Sequence, residues 1–436
     1  RSAATILPVR HQRVFVGNPS IEVDTDSEGF FCAPAGVAGK VFTQLQGPFV
    51  NVASARGPSA HYDNGSGTWS TAASAVSSPH PYSNSAVHVS TIDLTAVAAA
   101  ANAVKFLPVF TSFDIGSVSG GGVGEVGDIV DDDQLAIINS SGHVVASYVG
   151  SRTGFNGTAV TGKVMRLRLK SNATGAANGY DVSHSSFLTL SSPNSLGTAA
   201  PNTDGATGSF VWYPASYTST GLRSELSLFY HLNLMHDYFS GDVNKSSYAA
   251  LTPVNAMALM GPNLQNAFYD PDYDNLFFGD VSAAVPSDLF ADDATVTHHE
   301  YTHYVIEKIW PIQNFGQAGA ISEALADYFA ASSLNHSSIG RAVVEGLGGG
   351  GALRELDCVV NPPCKVLGGN QVWAGEIHDD SIYLSQALWD LRRDRIALQG
   401  ATNGRSCADN LVFQALLFFP ESFSELQAAM TRVDAY

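Results

Sequence analysis

The feature that limits this chain most is the run His299-Glu300-Tyr301-Thr302-His303, set inside an apolar stretch from Ala294 to Trp310 with helical spacing of its nonpolar residues. On a helix, positions i and i+4 share one face about a turn apart. Both imidazoles can then converge on one tetrahedral metal while Glu300 faces its open position. A buried helix with two hydrogen-bonded histidines would show the same five residues, so a third ligand separates the two readings. Glu323 is the candidate, 24 residues after His299, in Gly319-Ala-Ile-Ser-Glu-Ala-Leu-Ala-Asp327, a segment with its own helical period. Glu323 and Asp327 lie one turn apart, so one carboxylate can reach the metal while the other accepts the outer N–H of a ligand histidine. Both sit among Ile321, Ala324, Leu325, Ala326 and Phe329, where unpaired charge would be costly. Two helices carrying a His, His, Glu set are the expectation.

The length of 436 residues suggests two to four folded units at roughly 150 residues each. Residues 1–77 read as a small β region, with short runs such as Arg13-Val-Phe-Val and Gly47-Pro-Phe-Val-Asn-Val broken by Gly, Pro, Asn and Ser. Over residues 78–190, longer alternating runs at 104–110, 134–138, 143–149 and 163–170 predict a β-sandwich. Residues 191–209, rich in Ser, Pro, Asn, Thr and Gly, read as a linker. From 210 to 436 the period turns helical, at 224–239, 294–310, 319–334, 380–398 and 408–419.

Composition narrows the classes. With 22 Lys+Arg against 40 Asp+Glu, a net charge of −18 excludes a field that draws in nucleic acid or anionic lipid. Only 14% of residues are charged, against about 25% in an average domain, and Gly, Ser, Thr and Asn are abundant, as in secreted β-rich proteins. The longest apolar stretch, Leu94 to Phe110, is interrupted by Asn102 and Lys105 and falls short of the ~20 residues of a membrane span. The chain opens at Arg1 with no charged-then-apolar leader, which reads as a mature secreted chain. Cys358 and Cys364 flank Val-Val-Asn-Pro-Pro and are expected to close a small loop; Cys32 and Cys407 form a second bridge or remain separate buried thiols.

The paired motifs around His299 and Glu323 resemble those of the thermolysin and fungalysin type of zinc metallopeptidase, the gluzincins, over roughly residues 211–436. The resemblance implies a two-lobed α+β metallopeptidase domain with a mainly helical C-terminal lobe. It assigns zinc to His299, His303 and Glu323, general-base catalysis to Glu300, and to Asp327 the carboxylate behind a ligand histidine. His231 and His236, in Tyr230-His-Leu-Asn-Leu-Met-His-Asp-Tyr-Phe, correspond to a structural helix. Asn266-Ala267-Phe-Tyr resembles the edge strand whose Asn side chain and Ala carbonyl hold a substrate backbone. Arg354 stands where the family's substrate-carbonyl arginine does, and a fixed guanidinium fork suits that task. His378, in Gly375-Glu-Ile-His-Asp-Asp-Ser, corresponds to the oxyanion-stabilising histidine. Val296 and Leu353 would wall the primed-side pocket, so that an apolar residue just after the cut bond is favoured.

Departures from the pattern accompany it. Aligning the zinc motifs without a gap puts Asn314 at the family's oxyanion-donating tyrosine, a weaker donor with lower turnover as the expectation. No aspartate precedes His378 in the orienting role, and Glu376, two residues away, reads as a poor substitute. The acidic set of the family's paired calcium site is incomplete. Within residues 78–190, Pro79-His-Pro-Tyr-Ser-Asn, Asp133-Gln-Leu-Ala-Ile and Met165-Arg-Leu-Arg-Leu-Lys-Ser-Asn resemble a CUB domain lacking the usual cysteines. That likeness implies surface binding or self-association, with Ca²⁺ near Asp133 and Asn172 as a second cofactor, although Asp131-Asp-Asp is more often a solvated turn. Two functions follow for the whole chain: a secreted zinc endopeptidase acting on peptides or proteins by a metal-activated water, or a weak or inactive peptidase fold with a structural, adhesive or filament-forming role. Glu300 separates them, because a structural zinc site needs no carboxylate beside its open position.

Overall fold

A computed structural model describes residues 7–16, 21–33, 41–54, 61–63, 67–101, 103–115, 133–140, 144–148, 150–157, 160–190, 220–242, 253–258, 266–271, 275–279, 289–359, 362, 364–366 and 373–435. The chain is mixed α and β, and it divides into two compact units: residues 1–230 with 252–288, and residues 231–251 with 289–436. The segment 191–209, read as a linker, lies outside the described residues.

The first unit is built on sheets. Strand Val164–Lys170 alternates as its sequence does: Met165, Leu167 and Leu169 are buried, and Arg166 and Lys170 are exposed. It pairs antiparallel with Gln134–Ile138 in a sheet completed by Val144–Tyr148 and Val87–Asp93. A second sheet runs Gly150–Asn156, Ala103–Ile115, Gly179–Leu190, Gly67–Ala72. The two share one core, in which Phe110 stacks on Phe155 at 4.8 Å and meets Tyr148 of the first sheet edge-on at 6.3 Å. A buried ring such as Phe110 or Tyr148 contributes about 1.5–3 kcal/mol, and the half-buried Phe155 less. Gly67–Ala72 and Val76–Ser77, both before residue 78, pair with strand Gly179–Leu190 of the second sheet. A third sheet joins distant segments, with Val50–Ser54 and Asn275–Phe278 both parallel to Val254–Ala258, and with Ala267–Asp270 at its edge. These units thus divide the chain differently from the boundaries suggested by composition. A fourth sheet holds Arg13–Val16 between Ile21–Asp24 and Val41–Gln44.

Helix α1 (Thr220–Asp237) contributes residues to both units. The second unit continues with α2 (Leu289–Asp292), α3 (Ala294–Ile309), α4 (Gly316–Leu334), α5 (Arg341–Gly346), α6 (Ile377–Gln399), α7 (Ala401–Leu416) and α8 (Phe423–Asp434). Helix α4 is the pillar: all of Ala318 to Ser332 is buried, and α3 and α6 pack against it. A helix apolar on every side belongs inside a fold, and its alanines let the neighbours come close. At Gly404 an added Cβ would meet the backbone of Arg395 and Ile396 at 2.4 Å, so α7 crosses α6 only because that residue has no side chain. Asp409, buried on α7, accepts from Tyr328 at 2.8 Å and Ser332 at 2.7 Å, tying α7 to α4. A short ladder, Ser338–Ile339 against Arg354–Glu355, brings Arg354 in beside α4. Cys358 and Cys364 form the expected local disulfide. Cys32 and Cys407 do not pair; both are free thiols, Cys32 exposed and Cys407 half-buried.

Candidate metal centre

Helix α3 is fixed at its start by Asp293. Its Oδ1 accepts the N–H of Thr295 at 2.9 Å and the Thr295 hydroxyl at 2.6 Å, and its Oδ2 accepts the N–H of Ala342 at 2.9 Å. This N-cap locks the rotation of the helix, and with it the faces on which His299 and His303 emerge. Helix α4 lies alongside and offers Glu323 and Asp327 from its buried side.

These side chains converge. The Nε2 atoms of His299 and His303 stand 3.1 Å apart, and the Glu323 carboxylate spans both, with Oε2 at 3.2 Å from the first and Oε1 at 3.3 Å from the second. Donors on a tetrahedral zinc at about 2.0–2.1 Å are separated by about 3.3 Å, so the triangle fits that ion. His299 turns its Nδ1 to Asp327 Oδ1 at 2.9 Å, and His303 turns its own to Ser322 Oγ at 3.1 Å. An ionised carboxylate only accepts, so His299 keeps a hydrogen on Nδ1 and, with a metal present, would turn an Nε2 lone pair inward. Glu323 Oε2 is buried and accepts no hydrogen bond. Inward lone pairs beside a carboxylate need a positive charge between them. The donor set is therefore that of a divalent cation site, and His299, His303 and Glu323 are its ligand candidates.

Electrostatics agrees. Burial opposes charge on His299, but Asp327 and Glu323 overcome it, so that without metal the imidazole is pushed up to about 10. Burial likewise opposes the charge on Glu323, and His303 and His378 hold its carboxyl well below the usual range. Glu300 is also buried, and burial raises its carboxyl despite His299 and His303. No hydrogen bond to its side chain occurs among the described residues. A buried, unengaged carboxylate beside two imidazoles is suited to accept a proton.

Other anticipated residues fall in and out of this cluster. His378, on the first turn of α6, places Nε2 3.5 Å from Glu323 Oε2. Glu376 does face it, with Oε1 2.6 Å from His378 Nδ1, contrary to the sequence expectation. The reason is capping: Glu376 is the N-cap of α6, and its side chain folds back over the first turn to accept from Asp379. Arg354 gives its fork to Asp327 at 2.6 and 2.7 Å rather than standing apart for a substrate. Asn314 lies exposed before α4, with no contact to the ligands among the described residues. Val296 is buried on α3, whereas Leu353 is 50% exposed and covers Gly340. Asn266 and Ala267 belong to the other unit, where Asn266 Oδ1 accepts the N–H of Ala267 at 2.9 Å at the start of an edge strand. For calcium, Asp133 is buried and accepts from the Tyr82 hydroxyl and from the N–H of Asn172 at 2.7 Å, so its oxygens serve internal hydrogen bonds; Asp131 and Asp132 lie outside the described residues. Ser322 and Asp293 were missed, because a serine or an aspartate at those positions carries no signal until two helices are seen to cross.

No family model matches the chain, and no curated protein matches it. Among solved structures it is similar to the precursor of protealysin, a metalloproteinase from Serratia proteamaculans, at 20% identity over 48% of this chain and 71% of that one, with a TM-score of 0.39. That likeness is too distant to bear on the site. No helix among the described residues is long and apolar enough to cross a membrane.

Proposed function

We propose that the chain is a secreted zinc-dependent endopeptidase. The observation that carries the reading is the triangle of His299, His303 and Glu323 with the buried Glu300 one residue from the first ligand. His299, His303 and Glu323 would hold the zinc, which would supply a Lewis acid for the scissile carbonyl and an acidified water. Glu300 accepts the proton of the attacking water and delivers it to the leaving amine. Burial raises its carboxyl, and a more basic carboxylate is the better proton acceptor in the first half.

His378 donates from Nε2 to the developing oxyanion, a role worth about 3 kcal/mol per donor. Glu376 Oε1, 2.6 Å from Nδ1, fixes the orientation of the ring. Asp327 orients His299, and Arg354 holds Asp327. Asn314 is exposed, and the oxyanion role assigned to it by alignment passes to His378. The β-sandwich serves for surface binding or self-association. Calcium has no supporting site among the described residues, and the proposal does not include it.

The test is casein hydrolysis by purified protein. Activity that disappears with a chelator and returns with stoichiometric zinc supports the reading. A zinc-loaded, folded protein that cleaves neither casein nor a mixed peptide library overturns it and favours the non-catalytic alternative.

A further inference from the structure

Asp380 lies on the first turn of α6 and is 1% exposed, yet neither of its oxygens serves the helix. Oδ1 accepts the N–H of Ala374 at 2.7 Å and Oδ2 accepts that of Gly375 at 2.8 Å. Both donors belong to the turn that enters the helix, where Gly375 holds a left-handed φ of 83°, a value that favours glycine. The cap of α6 is already supplied by Glu376, whose Oε2 accepts from Asp379 at 2.8 Å. A buried carboxylate is costly without compensation, and two charge-assisted bonds to consecutive amides supply it. Their effect is to fasten the incoming turn to the helix. The N–H of Asp380 closes the same loop by donating to the Glu376 carbonyl at 2.9 Å.

That loop carries the residue that holds His378. Glu376 follows Gly375 directly, and its Oε1 sits 2.6 Å from Nδ1 of His378, whose Nε2 reaches toward the metal centre. A swing of the Ala374-Gly375 turn would carry the Glu376 side chain away and free the imidazole to rotate. We propose that Asp380 is a positioning residue for the peptidase reaction, clamping the Ala374-Gly375 turn so that Glu376 holds His378 with Nε2 aimed at the centre. It touches no substrate and acts only through His378. The proposal rests on the peptidase reading for its kinetic consequence, while the clamp itself can be read without activity.

Two measurements test it. Amide hydrogen exchange on the wild-type protein reads the clamp directly: Ala374 and Gly375 exchange as slowly as interior amides of α6, and Asp380→Asn, which sets an NH₂ group against one of these donors, speeds both. Kinetics reads its purpose. Asp380→Asn lowers kcat by about tenfold or more, in line with the cost of a misplaced catalytic group, leaves KM within about twofold, and has little further effect in a His378→Ala background.

Ala374 and Gly375 amides that exchange like exposed-loop amides in the wild type overturn the proposal, as does an Asp380→Asn loss that persists undiminished without His378. If Asp380→Asn does not fold, wild-type exchange alone decides. If the zinc-loaded wild type cleaves nothing, the peptidase reading fails, and the clamp stands or falls on exchange and on whether the His378 imidazole NMR signals shift in Asp380→Asn.

Discussion

Arg354 grips Asp327 with two parallel hydrogen bonds, Nε to Oδ2 at 2.6 Å and Nη2 to Oδ1 at 2.7 Å, while that same Oδ1 lies 2.9 Å from Nδ1 of His299. A guanidinium, a carboxylate and an imidazole thus form one line from the short ladder to the centre. Asp327 is fully buried, and burial raises its carboxyl while Arg354 and His299 lower it, with a net result below the usual range.

Arg354→Ala leaves Asp327 buried without its cation. Breaking a buried pair costs about 3–5 kcal/mol, and an Asp327 no longer held by Arg354 orients His299 less firmly, so metal affinity falls by up to the about 10–100-fold that loss of such a partner costs. Thermal unfolding and zinc titration check both. Arg354→Lys falls between, because an ammonium cannot make two parallel bonds. Unchanged melting and unchanged zinc affinity in Arg354→Ala would show that the line is incidental.

Glu300→Gln removes the proton acceptor and alters little else. The fold and the bound zinc remain, and peptide hydrolysis falls by about 100- to 10,000-fold, the range of general acid–base catalysis. Loss of zinc along with activity would assign Glu300 a structural role.

The pairing of His299 with His303 and of Glu323 with Asp327 was legible in the sequence, because helical spacing alone sets each pair on one face. The helices were legible for the same reason, and α3 and α4 begin and end within a few residues of their apolar periods. What could not be read was which residues meet across elements. Glu376 reaches His378 only because a helix starts between them, and Arg354 reaches Asp327 only because a two-residue ladder sets it there. Strand partners over long separations were hidden too: nothing local in Val50–Ser54 announces that it lies parallel to Val254–Ala258. Helices α2, α5 and α8 were missed, the first two for their brevity, whereas α8 was legible, since Phe423, Leu426, Met430 and Val433 recur at helical spacing.

Metal-free protein should show a stability loss at high pH that traces to His299. Its ordinary value is 6.5 and its folded value is about 10. The folded state holds the proton more tightly, so the stabilisation is complete below about pH 6.5 and fades as pH rises through about 10. Zinc takes the place of that proton, so the loaded protein lacks this loss. Urea midpoints of metal-free wild type and His299→Gln, compared from pH 6 to 10, should converge as pH rises. A gap that widens would reverse the sign and contradict the assignment.

The primed-side pocket expected from the resemblance makes a separate prediction. Val296 is buried beside the first ligand and Leu353 is half exposed, so an aliphatic or aromatic residue just after the cut bond gains apolar contact while a charged one finds no partner. Cleavage-site mapping on a peptide library should show that preference. Dominant cleavage before Lys, Asp or Glu would refute the pocket and leave the metal centre untouched.

The central claim is that His299, His303 and Glu323 hold one zinc. Elemental analysis of protein folded in excess zinc and then freed of loosely bound metal tests it most directly, with Glu323→Ala and His303→Ala beside the wild type. One zinc per wild-type chain is expected, with a loss of affinity in both variants large enough to leave them metal-free after the same wash. A wild type without zinc, or variants that keep it at full stoichiometry, would contradict it.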